Sequence, residues 1–100
     1  MTRFKKEAVE HHIRRKHPGC PDFAVTYIAE QIAGRSWEGI SLGGAVGTTM
    51  QGIMRHTMTE YEALLLAGVD RLEARKQVQP QVNALLAIWA KPPGNKSDAP

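Results

Sequence analysis

A cluster of polar and titratable side chains occupies residues 55–62, with the sequence Arg-His-Thr-Met-Thr-Glu-Tyr-Glu. Its imidazole, phenol, guanidinium, hydroxyls and carboxylates are the groups that general acid–base and nucleophilic catalysis use. The same groups have a structural interpretation, because Thr59 and Glu62 have the spacing of a capping box. Arg55 and His56 in turn suit the carboxyl end of a helix. We favour the structural interpretation, since nothing in the cluster specifies a reaction.

A methionine stripe leads into this cluster and points to contact with another protein. Met50, Met54 and Met58 recur every four residues, and thioether side chains adapt well to irregular partner surfaces. Met50 and Met54 share the apolar face of a predicted helix, so we expect them in the core and Met58 at the surface. The residues that we predict to contact a protein partner are Arg55, His56, Met58, Glu60 and Tyr61.

Two further patterns are typical of metal or phosphate sites, and we interpret both as structural. Three histidines and the only cysteine lie between residues 11 and 20, but a zinc site needs four ligands in paired spacings and no second pair follows. The glycine-rich stretch 43–49 lacks the lysine of a phosphate-binding Walker loop, and no predicted strand precedes it. The sequence therefore predicts no metal, no cofactor and no small-molecule substrate.

Positive charge is concentrated at the amino end of the chain. Residues 1–17 hold six basic and two acidic groups, whereas the remaining 83 residues hold seven basic and eight acidic groups. This distribution excludes a histone-like protein, which would neutralise phosphates over its whole surface. Direct nucleic-acid binding through this segment stays open as an alternative. The residues that would contact phosphates are Arg3, Lys6, Arg14, Arg15 and Lys16.

Apolar residues recur every three to four positions along most of the chain, which is the pattern of amphipathic helices. The first helix is predicted over about residues 3–16. Pro21 suits the first position of a second helix, and Gly34 suits the position after its end. We expect the most deeply buried face of the protein on this second helix, at Phe23, Ala24, Tyr27, Ile28, Gln31 and Ile32.

Ser41 is the predicted cap of a third helix, which contains four glycines between residues 43 and 52. Each glycine weakens an exposed helix interior by about 1 kcal/mol relative to alanine. The third helix therefore either frays at its start or packs very closely against a neighbour. The sequence leaves both alternatives open.

Two capping boxes follow in close succession, which predicts two helices that meet at a tight corner. The box at Thr59 opens a short helix that Gly68 ends, and the box of Asp70 and Glu73 opens the last helix. Pro80 is expected to interrupt and kink that last helix, because proline removes a backbone donor. Its predicted apolar face is Leu72, Val78, Val82, Leu85, Leu86 and Trp89.

These elements predict an all-α fold, a single domain of about five helices over residues 1–91 with a basic amino-terminal helix. Residues 92–100 form a polar tail that we expect to be disordered. No apolar run is long enough to span a bilayer, and the charged start lacks the apolar stretch of a signal peptide. Because Cys20 has no second cysteine to pair with, we expect a cytoplasmic protein.

Several of these motifs together resemble a small microbial domain family of unknown function. They are the Pro-Gly-Cys-Pro of residues 18–21, the Arg-His-x-x-Thr-x-Tyr of residues 55–61 with two leucines after it, and a Leu-x-x-Trp that ends at Trp89. The hallmark of the family is Arg-His-x-x-Thr-x-Tyr-Asp followed by two leucines, and Glu62 stands here in place of the Asp. The resemblance covers about residues 8–90. It implies a helical domain with this corner, and it implies no activity or ligand.

The favoured function is a non-enzymatic protein-binding module that occupies a surface of a larger assembly. The prediction depends on the small size, the near-neutral body, the methionine stripe and the lack of a catalytic constellation. One expected context is a mobile-element (phage-type) inhibitor of a host nucleic-acid-handling complex, such as a CRISPR surveillance complex. The alternatives are nucleic-acid binding through the amino-terminal helix and an enzyme centred on His56 and Tyr61.

Overall fold

The computed structural model describes residues 1–92, and the regular elements of this part of the chain are helices. The predicted all-α fold of five helices is confirmed. Apart from Pro92, the predicted disordered tail at 92–100 lies outside the described residues. The helices are α1 (Lys6–Lys16), α2 (Asp22–Ala33), α3 (Leu42–Met58), α4 (Tyr61–Leu66) and α5 (Arg71–Trp89).

The first residues are extended, so the prediction of a helix from residue 3 is wrong at its start. Thr2 and Trp37 form an isolated antiparallel bridge, in which the Thr2 amide donates to the Trp37 carbonyl at 2.8 Å and the Trp37 amide donates back at 2.7 Å. Because both backbone groups of Thr2 are used in this bridge, the helix begins only at Lys6. The Trp37 indole donates to the Ile32 carbonyl at 3.0 Å and thereby joins the bridge to the end of α2.

The main core lies between α1, α2 and α3, with the end of α5 packed against it. α2 contributes a face that is rotated from the predicted one. Phe23, Tyr27 and Gln31 are exposed, and Val25 and Ala29 are buried in their place. The small side chains of α2 allow α1 to pack closely on this face. The buried residues of α2 are Ala24, Val25, Ile28, Ala29 and Ile32.

α3 is a continuous helix in spite of its glycines, so the alternative of a frayed start is wrong. The hydroxyl of Ser41 accepts a hydrogen bond from the Gly44 amide at 3.0 Å, which confirms the predicted cap. Close approach is limited to the first turn, where a Cβ at Gly44 would lie 2.8 Å from a side-chain carbon of Ile40. A Cβ at Gly43 would make only ordinary contact with the His12 ring, at 3.7 Å. A side chain at Gly47 or Gly52 would meet nothing within 4 Å. Met50 and Met54 are fully buried, as expected.

α4 and α5 pack together around a small core of their own, formed by Tyr61, Ala74 and Val78. Gly68 follows α4 with a φ of 93°, a left-handed conformation that favours glycine and confirms the predicted stop. The Asp70 carboxylate accepts from the Leu72 amide at 3.1 Å and caps α5. The helix thus begins where the sequence predicts it.

Two details of α5 differ from the prediction. Pro80 lies inside the helix without ending it, and the helix continues to Trp89. Leu72 does not belong to the buried face, because it lies in the first turn and is 68% exposed. Val78, Val82 and Trp89 are buried, so the predicted face is confirmed from the second turn onward.

The turn between α1 and α2 packs tightly against the end of α5. The Gly19 amide donates to the Trp89 carbonyl at 2.8 Å, and a side chain at Gly19 would collide with the carbonyl oxygen of Lys91. Cys20, next to it, is buried, and burial raises the pKa of its thiol to about 11. The thiol therefore stays protonated at neutral pH, which makes it a packing residue rather than a nucleophile. None of the helices in the described part of the chain has the length and hydropathy that a bilayer span requires.

We predict that the protein loses stability in mild acid because of two histidines. Burial lowers the pKa of His12, with smaller contributions from Lys16 and Arg15, and burial also lowers the pKa of His17. Below about pH 6.5 the unfolded chain therefore binds more protons than the folded chain. The free energy of unfolding consequently decreases as the pH is lowered.

The measurement is the urea midpoint between about pH 7.5 and about pH 5.5, a range above the titration of ordinary carboxylates. We expect a lower midpoint at the acidic end and a smaller decrease in a His17→Gln variant. A midpoint that stays constant or rises on acidification would contradict this prediction.

Candidate functional site

A groove of about 970 Å³ lies between α2 and α3. One wall consists of the α2 residues Phe23, Tyr27 and Gln31, which are spaced four residues apart and therefore lie along one side of the helix. We call this set the α2–α3 groove. Its α3 wall includes Thr48, Gly52, Ile53, His56, Thr57 and Met58, and its floor includes Ala24, Ile28, Trp37 and Trp89.

The groove has room at Gly52, a position without a side chain that lies among larger lining residues. Gly52 carries no side chain, and a Cβ there would have open space around it. The two tryptophans in the floor are buried and belong to the main core. The groove is thus an uncovered part of the core and not a channel between polar surfaces.

The rims of the α2–α3 groove carry large apolar side chains in contact with solvent. Phe23 is 72% exposed, Tyr27 is 50% exposed and Met58 is 40% exposed. Scattered exposed apolar residues are ordinary, but several that border one groove mark an interaction surface. The predicted exposure of Met58 is confirmed, whereas Phe23 and Tyr27 lie at the surface and not in the core where the sequence placed them.

The polar cluster at residues 55–62 forms the corner between α3 and α4 and is a network of mutual contacts. The Nδ1 atom of His56 hydrogen-bonds the Glu62 carboxylate. The His56 ring meets the Tyr61 ring edge-on, with the centroids 5.2 Å apart. The Arg55 guanidinium lies on the face of the Tyr61 ring, 5.8 Å from its centroid.

Backbone contacts complete this network and correct the predicted capping box. The Thr59 hydroxyl donates to the Arg55 carbonyl at 2.6 Å and accepts from the Tyr61 amide at 3.1 Å. Thr59 thus binds the first amide of α4, but the N-cap residue is Glu60, which makes no side-chain cap bond. Glu62 bonds His56 instead of the amide of Thr59, so the predicted capping box does not form. The corner fixes the side chain of His56, which is also part of the groove lining.

The structure separates the five residues that we predicted to contact a partner. His56 and Met58 line the α2–α3 groove. Arg55 is half-buried and Glu60 is exposed, and both lie outside the groove. Tyr61 is only 3% exposed and belongs to the small core between α4 and α5. Its side chain therefore offers little surface to a partner.

A family model described as "Uncharacterized conserved protein (DUF2293)" matches residues 12–90 of the chain. The chain belongs to the DUF2293 family. This match includes the last five residues of α1, the other four helices, the α2–α3 groove and the corner. It supports the resemblance to a family of unknown function. No curated protein and no solved structure matches the chain.

The basic residues near the amino end of this DUF2293 chain fall into two groups. Arg14 pairs with Asp22 at 2.9 Å, and Lys6 pairs with Glu30 at 3.4 Å. Arg3, Arg15 and Lys16 are exposed and form no ion pair within residues 1–92. Two of the five residues predicted to contact phosphates are thus paired with carboxylates at the surface.

The described residues of this chain offer few groups for catalysis or metal binding. His56 has its imidazole oriented by a carboxylate, which is the arrangement of a general base. Within the part that the structure describes, its ring has no hydrogen bond to a hydroxyl or thiol. Across those same residues, no three His, Cys, Asp or Glu side chains are grouped closely enough to hold a metal ion. The groove is the most developed candidate site.

Proposed function

We propose that this DUF2293 domain is a non-enzymatic module that binds a segment of another protein in the α2–α3 groove. The observation that supports the proposal is the set of large apolar side chains, Phe23, Tyr27 and Met58, at the rims of an uncovered part of the core. Burying an aromatic side chain of this size contributes about 1.5–3 kcal/mol, so a partner gains affinity by covering them.

The shape of the groove favours a chain segment over a small molecule. Small-molecule sites enclose most of the ligand surface, whereas both walls of this groove carry large side chains that are 40% to 72% exposed. Its walls are two helices that offer residues at helical spacing along their length. Such a groove suits helix-in-groove recognition, in which an amphipathic helix places its apolar face against the walls.

A larger assembly is the expected source of that segment. Inhibition of a host nucleic-acid-handling complex, such as a CRISPR surveillance complex, is the specific form of the proposal that the sequence suggested. The groove supports the binding step, and the exposed Arg3, Arg15 and Lys16 could add contacts to phosphates. Nucleic-acid binding through those residues is the alternative function.

The test is a pull-down from host lysate, with and without nuclease, using the whole chain and two pairs of variants. The groove variant is the double substitution Phe23→Ser and Tyr27→Ser, and its control is Leu66→Ser with Leu72→Ser. The control residues are also apolar and mostly exposed, and they lie outside the groove. Both variants should stay folded, because substitutions of exposed residues change stability little.

We expect the groove variant to bind its partner at least about 30-fold more weakly, since a central aromatic contact contributes about 2 kcal/mol. The control variant should bind as the unchanged chain does. Equal retention by both variants would contradict the proposal. Recovery of nucleic acid alone, removed by nuclease, would favour the alternative function.

A further inference from the structure

We propose that the segment bound in the α2–α3 groove is an acidic amphipathic helix, with a carboxylate that pairs with Arg35. The inference rests on the proposed function and adds the chemistry of the partner. It depends on the length of the groove wall and on the charges along it.

The α2 wall has a regular order from its apolar end to its charged end. Phe23, Tyr27, Gln31 and Arg35 follow one another every four residues and all line the groove. α2 ends at Ala33, and Arg35 follows two residues later. At a rise of about 1.5 Å per residue, the helical part of the wall from Phe23 to Ala33 is roughly 15 Å long. A bound helix of about three turns has that length. Its apolar side chains would lie against Phe23 and Tyr27, and its polar end against Arg35.

The charges of the groove are not balanced within the domain. Among the described residues that line it, Arg35 and His56 are the basic ones, and none is a carboxylate. The imidazole of His56 is already bonded to Glu62. The Arg35 guanidinium has no ion pair in residues 1–92, and it lies 4.3 Å from the centroid of the Trp37 ring.

The stacking on Trp37 makes Arg35 a suitable anchor for an anion. A guanidinium on an aromatic face keeps its hydrogen-bond donors free at its edge, where a carboxylate can accept two of them. The acidic residues of α2 do not compete for it, because Asp22 is paired with Arg14 and Glu30 with Lys6. A carboxylate of the partner would therefore compensate this charge and fix the orientation of the bound helix.

Other occupants fit less well. The chain beyond Trp89 starts beside the groove floor, but residues 93–100 contain no large apolar side chain that could cover Phe23 or Tyr27. A second copy of this chain would bring the same positive groove against itself in a symmetric pair. An acidic helix of a different protein supplies both the apolar face and the opposite charge.

The experiment selects binders from a displayed library of random peptides of roughly 16 residues, a length that forms about four helical turns. The bait is the whole chain, beside Arg35→Glu and the matched control Arg75→Glu. Arg75 is an exposed arginine outside the groove, so both variants change the net charge equally. The best peptide is then synthesised, together with a form in which Gln replaces each Glu and Asp.

We expect the unchanged chain to enrich peptides with apolar residues at i, i+4 and i+7 and an excess of Asp and Glu. The best peptide should bind Arg35→Glu about 10-fold more weakly and Arg75→Glu nearly unchanged, since like charges in contact oppose binding. Its Gln form should lose affinity for the unchanged chain and show no preference between the two variants.

Each contrary outcome would overturn a defined part of the proposal. Selected peptides without an acidic excess, or equal weakening by Arg75→Glu, would overturn the pairing with Arg35 and leave the groove intact. Peptides that bind the Phe23→Ser, Tyr27→Ser variant as well as the unchanged chain would overturn the proposed function itself. Two further results would overturn the claim that a helix of a different protein occupies the groove. One is that no helical peptide is enriched, and the other is a dimer that forms with the unchanged chain but not with the Phe23→Ser, Tyr27→Ser variant in sedimentation.

Discussion

Replacement of Trp89 by alanine is expected to lower the free energy of unfolding by about 3–5 kcal/mol, the range for truncating a large buried aromatic side chain. Trp89 is 5% exposed and lies in the main core. It is also part of the groove floor, which it shares with residues of α2 and α3. Because small domains have only about 5–15 kcal/mol of stability in total, this variant should be partly unfolded at moderate temperature.

Urea denaturation followed by circular dichroism measures the effect, with Ile88→Ala as the control. Ile88 is the neighbour of Trp89 on α5 and is mostly exposed. Its truncation should therefore change the free energy of unfolding by less than about 0.5 kcal/mol. A loss below about 1 kcal/mol for Trp89→Ala, well under the value for a core aromatic, would show that α5 does not complete the core.

Substitution of Gly19 by alanine is expected to destabilise the protein by about 2–4 kcal/mol, of which about 1–3 kcal/mol comes from overpacking and about 1 kcal/mol from a weakened hydrogen bond. A Cβ at Gly19 would collide with the Lys91 carbonyl and lie 2.8 Å from the carbonyl oxygen of Ile88. These are backbone atoms, so they cannot move aside as a side chain can. The hydrogen bond at risk joins the Gly19 amide to the Trp89 carbonyl.

The same substitution at Gly47 is the matched control and should have the opposite sign. Gly47 lies inside α3, and a Cβ there has nothing within 4 Å. Alanine should therefore raise the free energy of unfolding by about 0.5–1 kcal/mol, the gain in helix propensity. Thermal or urea unfolding of both variants tests the pair. A Gly19→Ala protein as stable as the unchanged chain would contradict the tight contact with α5.

The order and type of the helices could be predicted from the sequence because their signals are local. Ser41 and Asp70 cap α3 and α5, and Gly68 ends the turn after α4, all as expected from residue type and spacing. The start of α1 could not be predicted in this way. It depends on the bridge between Thr2 and Trp37, a contact between distant parts of the chain that leaves no local pattern.

The buried face of α2, and with it the candidate site, could not be predicted from the sequence. α2 is apolar on two sides, so helical spacing allowed either Phe23 and Tyr27 or Val25 and Ala29 to face the core. The structure selects the side with the smaller residues, which admits α1. The signal in the sequence was the excess of apolar residues itself, because a helix that buries one side and stays apolar on the other has surface to offer a partner.

The corner was recognised as a unit, but its contacts were only partly predicted. Glu62 is within reach of the Thr59 amide and of the His56 ring, and spacing alone does not choose between them. Burial of Tyr61 likewise depends on the packing of α4 against α5, which is a tertiary contact. His56 and Met58 reach the groove because the last turn of α3 lies beside it.

Two long-range backbone contacts, between Thr2 and Trp37 and between Gly19 and Trp89, close loops of different length. The entropy cost of closing each loop bears on the order in which the chain folds. The loop closed by Gly19 and Trp89 is twice as long as the loop closed by Thr2 and Trp37. Doubling a loop adds about 0.6 kcal/mol to the entropy cost of closing it. We therefore expect the contacts among α1, α2 and α3 to form early and the docking of α5 to come last. Such a long-range closing step should make folding slower than in a bundle of sequentially adjacent helices.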